Sequence, residues 1–174
     1  MADPDVERDM KMAELANAVT TRVQIIDIRL LESRTEQKPF DFDLAKRMTT
    51  SISVQTHVDE NLKVMEVFPH FRLLVIRKND SPEEIFVRIE ARFAVSYQLA
   101  TLENLKKEHY DAFGDRNGVF TVWPYWREFV QSTTVRMGLP PLTLPVFRVG
   151  TSKLEQDSLL PPKMVKQIGA ANKP

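Results

Sequence analysis

Residues 122–147, VWPYWREFVQSTTVRMGLPPLTLPVF, join a helix with a marked start and stop to an apolar extended arm. Pro124 suits a first helical turn, where its missing N–H removes a donor that would be unpaired anyway. Trp126, Phe129, Val130, Thr133 and Met137 recur at three- and four-residue steps, so they share one side of a helix from about Pro124 to Met137. Gly138 can take the left-handed conformation that closes a helix, and Pro140 and Pro141 forbid continuation. Behind it, Leu139, Leu142, Leu144, Val146 and Phe147 lie on proline-stiffened chain with nothing local to cover them. They require a groove, a sheet or another chain.

The stretches before it read as strands. Val23 to Glu36 has a dense apolar centre, Ile25 to Leu31, with neither face purely polar, which fits a strand covered on both faces, one by another subunit. Met48 to Asp59 alternates cleanly: Ile52, Val54, Thr56 and Val58 against Ser51, Ser53, Gln55 and His57. Val64 to Lys78 is a third strand in which Pro69 predicts a bulge or an edge position. Glu84 to Leu99 alternates over eight apolar positions and would span ~50 Å, more than a small sheet needs without a bulge or a partner chain. Glu60-Asn61 and Asn79 to Pro82 supply turns, whereas Lys38 to Asp43 is a crossing segment bearing Phe40 and Phe42. Four strands joined mostly by short turns favour an antiparallel sheet over βαβ units.

Around these, Met12, Leu15, Ala16 and Val19 predict a short amphipathic N-terminal helix. Thr101 is placed to cap a helix carrying Leu102, Leu105, Tyr110 and Phe113, and Asp115 to Gly118 reads as a turn before the long helix. The organisation expected is a helical extension over 1–20, one domain over 21–150 and a loosely attached tail over 151–174. The fold class is α+β: a four-stranded antiparallel sheet with the long helix packed on one face.

Composition removes several functions. Lys plus Arg equals Asp plus Glu, 24 each, so no overall field draws the chain to nucleic acid or an anionic membrane. Cysteine is absent, which removes disulfides, thiolate metal sites and a cysteine nucleophile, and suits a reducing cytoplasm. The acidic N-terminus does not read as a signal peptide, and no apolar run approaches spanning length. His57, His70 and His109 lack metal-site spacing, and His57 with Asp59 and Glu60 reads as a solvated strand end. Ser132, Thr133 and Thr134 sit mid-helix, where a hydroxyl satisfies a carbonyl four residues back. No serine elbow or glycine-rich phosphate loop is visible, so no catalytic residue, metal ligand or cofactor is assigned. Trp123, Tyr125 and Trp126 beside Arg127 lack the basic surround of a base-stacking site. Trp126 reads as core, and Trp123 and Tyr125 are freer to line a groove.

The run Pro124-Tyr125, Arg127-Glu128, Arg136, Gly138, Pro141-Leu142 and Leu144 resembles the main helix and following loop of the SecB export chaperones. It is more similar still to the SecB-like chaperones associated with toxin–antitoxin systems, where a PYxRE start and an LPPLTL exit occur together. The resemblance covers about residues 20–150. It implies a cytoplasmic homotetramer, a dimer of dimers with these helices near the subunit interfaces. It also implies an ATP-independent holdase that keeps unfolded clients, preproteins or an antitoxin, in long apolar grooves. Phe40, Phe42, Trp123, Tyr125, Leu139, Leu142, Leu144 and Phe147 would line the groove. Glu32, Glu36 and Glu90 fall where the family carries the acidic face that docks the SecA motor, although Arg34, Arg88 and Arg92 are interspersed. The tail lacks the family's second long helix.

Two other classes remain. A small-molecule carrier or enzyme on a curved sheet would need a polar group inside its cavity, and none stands on the apolar faces. A purely structural oligomer would use the same surfaces without binding an unfolded chain.

Overall fold

The computed structural model describes residues 4–39, 46–77 and 84–147. In chain order it comprises α1 (Pro4–Thr20), β1 (Val23–Gln37), β2 (Lys46–Asp59), β3 (Val64–Arg77), β4 (Ile85–Leu99), α2 (Lys107–Phe113), a π-helical turn (Gly114–Gly118) and α3 (Val119–Arg136). The strands form one antiparallel sheet in the order β1-β4-β3-β2. This is the α+β arrangement expected. The turn residues 79–82, Phe40, Phe42 and everything from 148 onward lie outside the described residues.

Register separates the two sheet faces. Ile52 of β2 stands beside Phe71 of β3, which stands beside Ala91 of β4. Val67 is likewise paired with Val95 and Thr56. This face is the core: Met65, Val67, Phe71, Leu73, Ile89, Phe93, Val95 and Tyr97 are buried under the helices. Ser51, Ser53, Gln55 and His57 are exposed, so the alternation in β2 is a true inside–outside pattern.

Several local expectations give way. Pro69 sits in β3, a central strand, opposite Val54. The β3–β4 ladder pairs Val67↔Val95 and resumes at His70↔Arg92 with its register kept, so the proline interrupts the ladder without a bulge or an edge. β4, by contrast, carries a register shift of the bulge kind expected, with Phe86 the extra residue between the partners of Val75 and Ile76, while β1 shifts against it at Ile25/Asp27 and Leu30/Glu32. Thr101 does not cap a helix. Its hydroxyl accepts from Glu103 N–H, and α2 begins only at Lys107, after Lys106 N–H donates to His109 Nδ1.

The largest correction concerns the long helix. It starts at Val119, so Pro124 lies inside it, and the stretch read as a turn is a π-helical turn that joins α2 to α3. Glycine is needed there because the backbone presses on the sheet. A Cβ on Gly118 would sit 2.7 Å from Val67 Cγ1, and one on Gly114 would collide with the Thr56 hydroxyl. The helix tolerates Pro124 because Phe120 and Pro124 are both exposed, so the carbonyl freed one turn earlier lies on the solvated side. Gly138 does have positive φ, +71°, and ends the helix as expected. α1 packs against α2, and its Ala16 and Val19 are buried.

Candidate functional site

Along α3, the helix presents a row of aromatic rings to the sheet. Trp126 stacks on Phe71 with centroids 5.3 Å apart, and Trp123 meets the same ring edge-on at 5.9 Å. Phe93 closes the cluster at 6.1 Å from Phe71. Tyr97 packs on Phe113, and its hydroxyl lies 3.2 Å from Thr121 Oγ1. Burial pushes its phenol pKa up, so it stays neutral.

The arm after Gly138 folds back along this helix. Leu142 N–H donates to Thr134 Oγ1 at 3.1 Å, Arg127 Nε donates to the Leu144 carbonyl at 2.7 Å, and Trp123 Nε1 donates to the Pro145 carbonyl at 2.8 Å. Ascending arm numbers meet descending helix numbers, so the arm runs antiparallel to α3. Thr134 makes this bond while its own hydroxyl donates to Gln131 O at 3.0 Å, three residues back and not four. Phe147 ends against Trp123, ring centroids 5.3 Å apart.

The sequence-named groove residues therefore divide. Leu142 and Leu144 are buried, and Leu139 and Phe147 are half-buried. Trp123 is buried at 5 % exposure, whereas Tyr125 is 49 % exposed on the opposite side. Phe40 and Phe42 fall outside the described residues. Arg127 and Thr134 are contacts that reading the sequence missed. Their signal was the spacing Trp123, Arg127, Val130, Thr134, one stripe of a helix in steps of three and four.

Apolar surface stays open elsewhere. β1 exposes Ile25, Ile26, Leu30 and Leu31 by about half of each residue (46–56 %). Val23, Ile28 and Leu30 lie on the helix-facing side of the sheet by register with Leu99, Val95 and Phe93. No described strand pairs with the outer edge of β1.

The opposite face of the sheet is charged but self-neutralising. Cross-strand register sets Glu32 beside Arg92, Arg34 beside Glu90 and Glu36 beside Arg88. Glu90 Oε1 accepts from Arg72 Nε and Arg88 Nη1, both at 2.8 Å. Arg88 Nε reaches Glu36 at 3.1 Å, and Arg92 approaches Glu32 at 3.9 Å. Burial alone would raise the Glu90 pKa, but the two guanidinium groups outweigh it and hold the carboxyl below its usual range. The Arg34 hydrogen bond, with Arg88 behind it, lowers that of Glu36. The three glutamates do share one face, each with an arginine. Among the described residues no group of three or more His, Asp or Glu gathers to hold a metal, and no helix is long and apolar enough to cross a membrane.

No protein-family model matches the chain. Two curated relatives do, SecB-like chaperone Rv1957 of Mycobacterium tuberculosis strain H37Rv and SecB-like chaperone MT2006 of strain CDC 1551. Each is 25 % identical over 166 residues, covering 84 % of this chain and 89 % of the relative. The chain is similar to the SecB-like chaperones. A solved structure of Mycobacterium tuberculosis Rv1957, in complex with a ChAD peptide from the Rv1956 HigA1 antitoxin, shares the fold. Its TM-score is 0.68 at 22 % identity, over 78 % of this chain and 97 % of that one. The SecB-like sheet with a long helix on one face is thus common to both.

Proposed function

We propose that this chain is a SecB-like, ATP-independent holdase whose client is an antitoxin. The similarity to SecB-like chaperones along 84 % of the chain carries the reading, with an antitoxin peptide bound by the structural relative. Physical chemistry supports it: apolar burial is non-directional and tolerant of sequence, as a chaperone requires. The half-exposed apolar residues of β1 exceed what one subunit would leave uncovered, which supports the homotetramer the resemblance implies. Among the two client classes, the outer sheet face favours the antitoxin. An acidic plate for SecA needs free carboxylates, and here Glu32, Glu36 and Glu90 are each paired with arginine. The test is light scattering of chemically unfolded HigA1, the antitoxin whose peptide the structural relative binds, diluted with and without the purified chain. Suppression at about one tetramer per client is expected. Aggregation unchanged at tenfold excess overturns the reading.

A further inference from the structure

The arm is held as a bound peptide is held. All four of its hydrogen bonds to α3 use its main chain, the N–H groups of Leu139 and Leu142 and the carbonyls of Leu144 and Pro145, and none uses an arm side chain. Its two buried side chains, Leu142 and Leu144, are alternate residues, the spacing by which extended chain turns side chains to one surface. Thr143 between them is exposed. A cradle that reads main chain and apolar side chains, Leu142 and Leu144 at i and i+2 with Phe147 against Trp123, has little means of distinguishing its own arm from another extended apolar segment.

The junction allows exchange. Gly138 has φ +71° with nothing within 4 Å of where its Cβ would be, and the Gly138 and Leu139 N–H groups close the helix on Val135 O and Thr134 O, so the arm pivots beyond a fixed helix end that is open on its solvent side. The prolines at 140, 141 and 145 bring no N–H, so the docked arm demands fewer donors' partners than an ordinary segment would. We infer that residues 139–147 are an internal pseudo-client: they occupy an extended-peptide cradle on α3, and a client of alternating apolar pattern binds there by displacing them. Trp123, Arg127 and Thr134 then contact client main chain. This rests on the chaperone reading above, and the experiment separates the two.

The chain has no cysteine, so a tether is clean. Gln131→Cys and Thr143→Cys, both at exposed positions, are joined in the full-length protein by a short bismaleimide; the control carries the same thiols capped singly with N-ethylmaleimide. Two fluorescent probes are titrated: reduced, carboxymethylated lactalbumin, and a synthetic peptide of residues 138–147. For the peptide, a second acceptor with Leu142→Ser and Leu144→Ser removes the resident side chains. Tethering is expected to weaken lactalbumin binding at least tenfold, and the Ser variant to bind the peptide at least tenfold more tightly than the unaltered chain. Lactalbumin binding equal in tethered and capped protein overturns the inference while the holdase reading stands. Peptide exchange into the cradle without any lactalbumin binding sinks the holdase reading and the client role of the cradle with it, leaving only a displaceable arm. Should the Ser variant not fold, the peptide is titrated against the capped and tethered forms, and equal binding by the two overturns the inference.

Discussion

Trp126 lies nearly parallel to Phe71, their planes 14° apart and their centroids separated by 5.3 Å, at the point where α3 crosses the centre of the sheet. Both rings are buried, with exposures of 1 % and 0 %. Truncating a large aromatic in such a place leaves a cavity as well as lost transfer energy. Trp126→Ala should therefore cost about 3–5 kcal/mol in urea unfolding. Tyr125→Ala, one residue away but half-exposed, should cost under about 1 kcal/mol. Equal losses would mean that α3 is rotated from the orientation described.

Two glycines should respond to substitution for opposite reasons. Gly138→Ala meets open space and is strained only by its positive φ, so a cost of about 1 kcal/mol is expected. Gly118→Ala forces a methyl against Val67 and should cost about 1–3 kcal/mol, because the π-helical turn must lift from β3. Thermal melting of both variants is the measurement, and a more damaging Gly138→Ala would contradict the packing.

These glycines also show where sequence was a sufficient guide. Gly138 was legible because Pro140 and Pro141 follow it, a local signal of a helix end. Gly114 and Gly118, with Asp115 and Asn117 between, have the composition of a turn. Their role is set by β2 and β3 pressing from far along the chain, which no local pattern reports. β2 and β4 were legible through their period of two and β1 through its dense apolar centre, whereas Pro69 misled because its tolerance depends on the neighbouring ladder. The arm's need for cover was readable, but not its direction, which Arg127 and Trp123 decide through main-chain carbonyls. Glu32, Glu36 and Glu90 were visible as acids; cross-strand register gives each its arginine.

That register carries a pH dependence. The Glu90 carboxyl is held below its usual pKa, so the folded state binds its proton more weakly than the unfolded chain does. The stabilisation is present above the unfolded value, ~4.3, and is lost as pH falls through the lower folded value. Glu90→Gln should cost about 1.5–3 kcal/mol at pH 7, the worth of hydrogen bonds to a charged group. The gap from the unaltered chain should close below about pH 4. A gap constant from pH 7 to 3 would show that charge pairing is not its source.

Assembly can be separated from folding at β1. Ile25 and Leu30 are about half-exposed in the single chain, 49 % and 47 %, so lysine there should disturb the subunit little. In the homotetramer we propose, each would bury an unpaired charge. Ile25→Lys with Leu30→Lys should raise the dissociation constant of the assembly at least tenfold by analytical ultracentrifugation, a change of about 1.4 kcal/mol or more. The far-ultraviolet dichroism should remain that of the unaltered chain. A monomeric unaltered chain at micromolar concentration would remove the basis for the experiment and for the tetramer together.

The last prediction concerns what drives client binding. The apolar surface is concentrated on β1 and along α3, whereas the outer sheet face pairs its glutamates with arginines. A client held by the apolar surface gains chiefly from removing that surface from water, which salt does not screen. Titration calorimetry with an unfolded, carboxymethylated client should give a negative heat-capacity change between 10 and 30 °C. Affinity should change less than about twofold between 0.05 and 0.5 M NaCl, although the Debye length shrinks from ~14 to ~4 Å over that range. A client held by the charged face instead would break ion pairs such as Arg72–Glu90 and exchange them for its own charges, so its affinity would fall steeply with salt. A tenfold loss at 0.5 M NaCl, with little heat-capacity change, would move the client from the helix side of the sheet to its outer face.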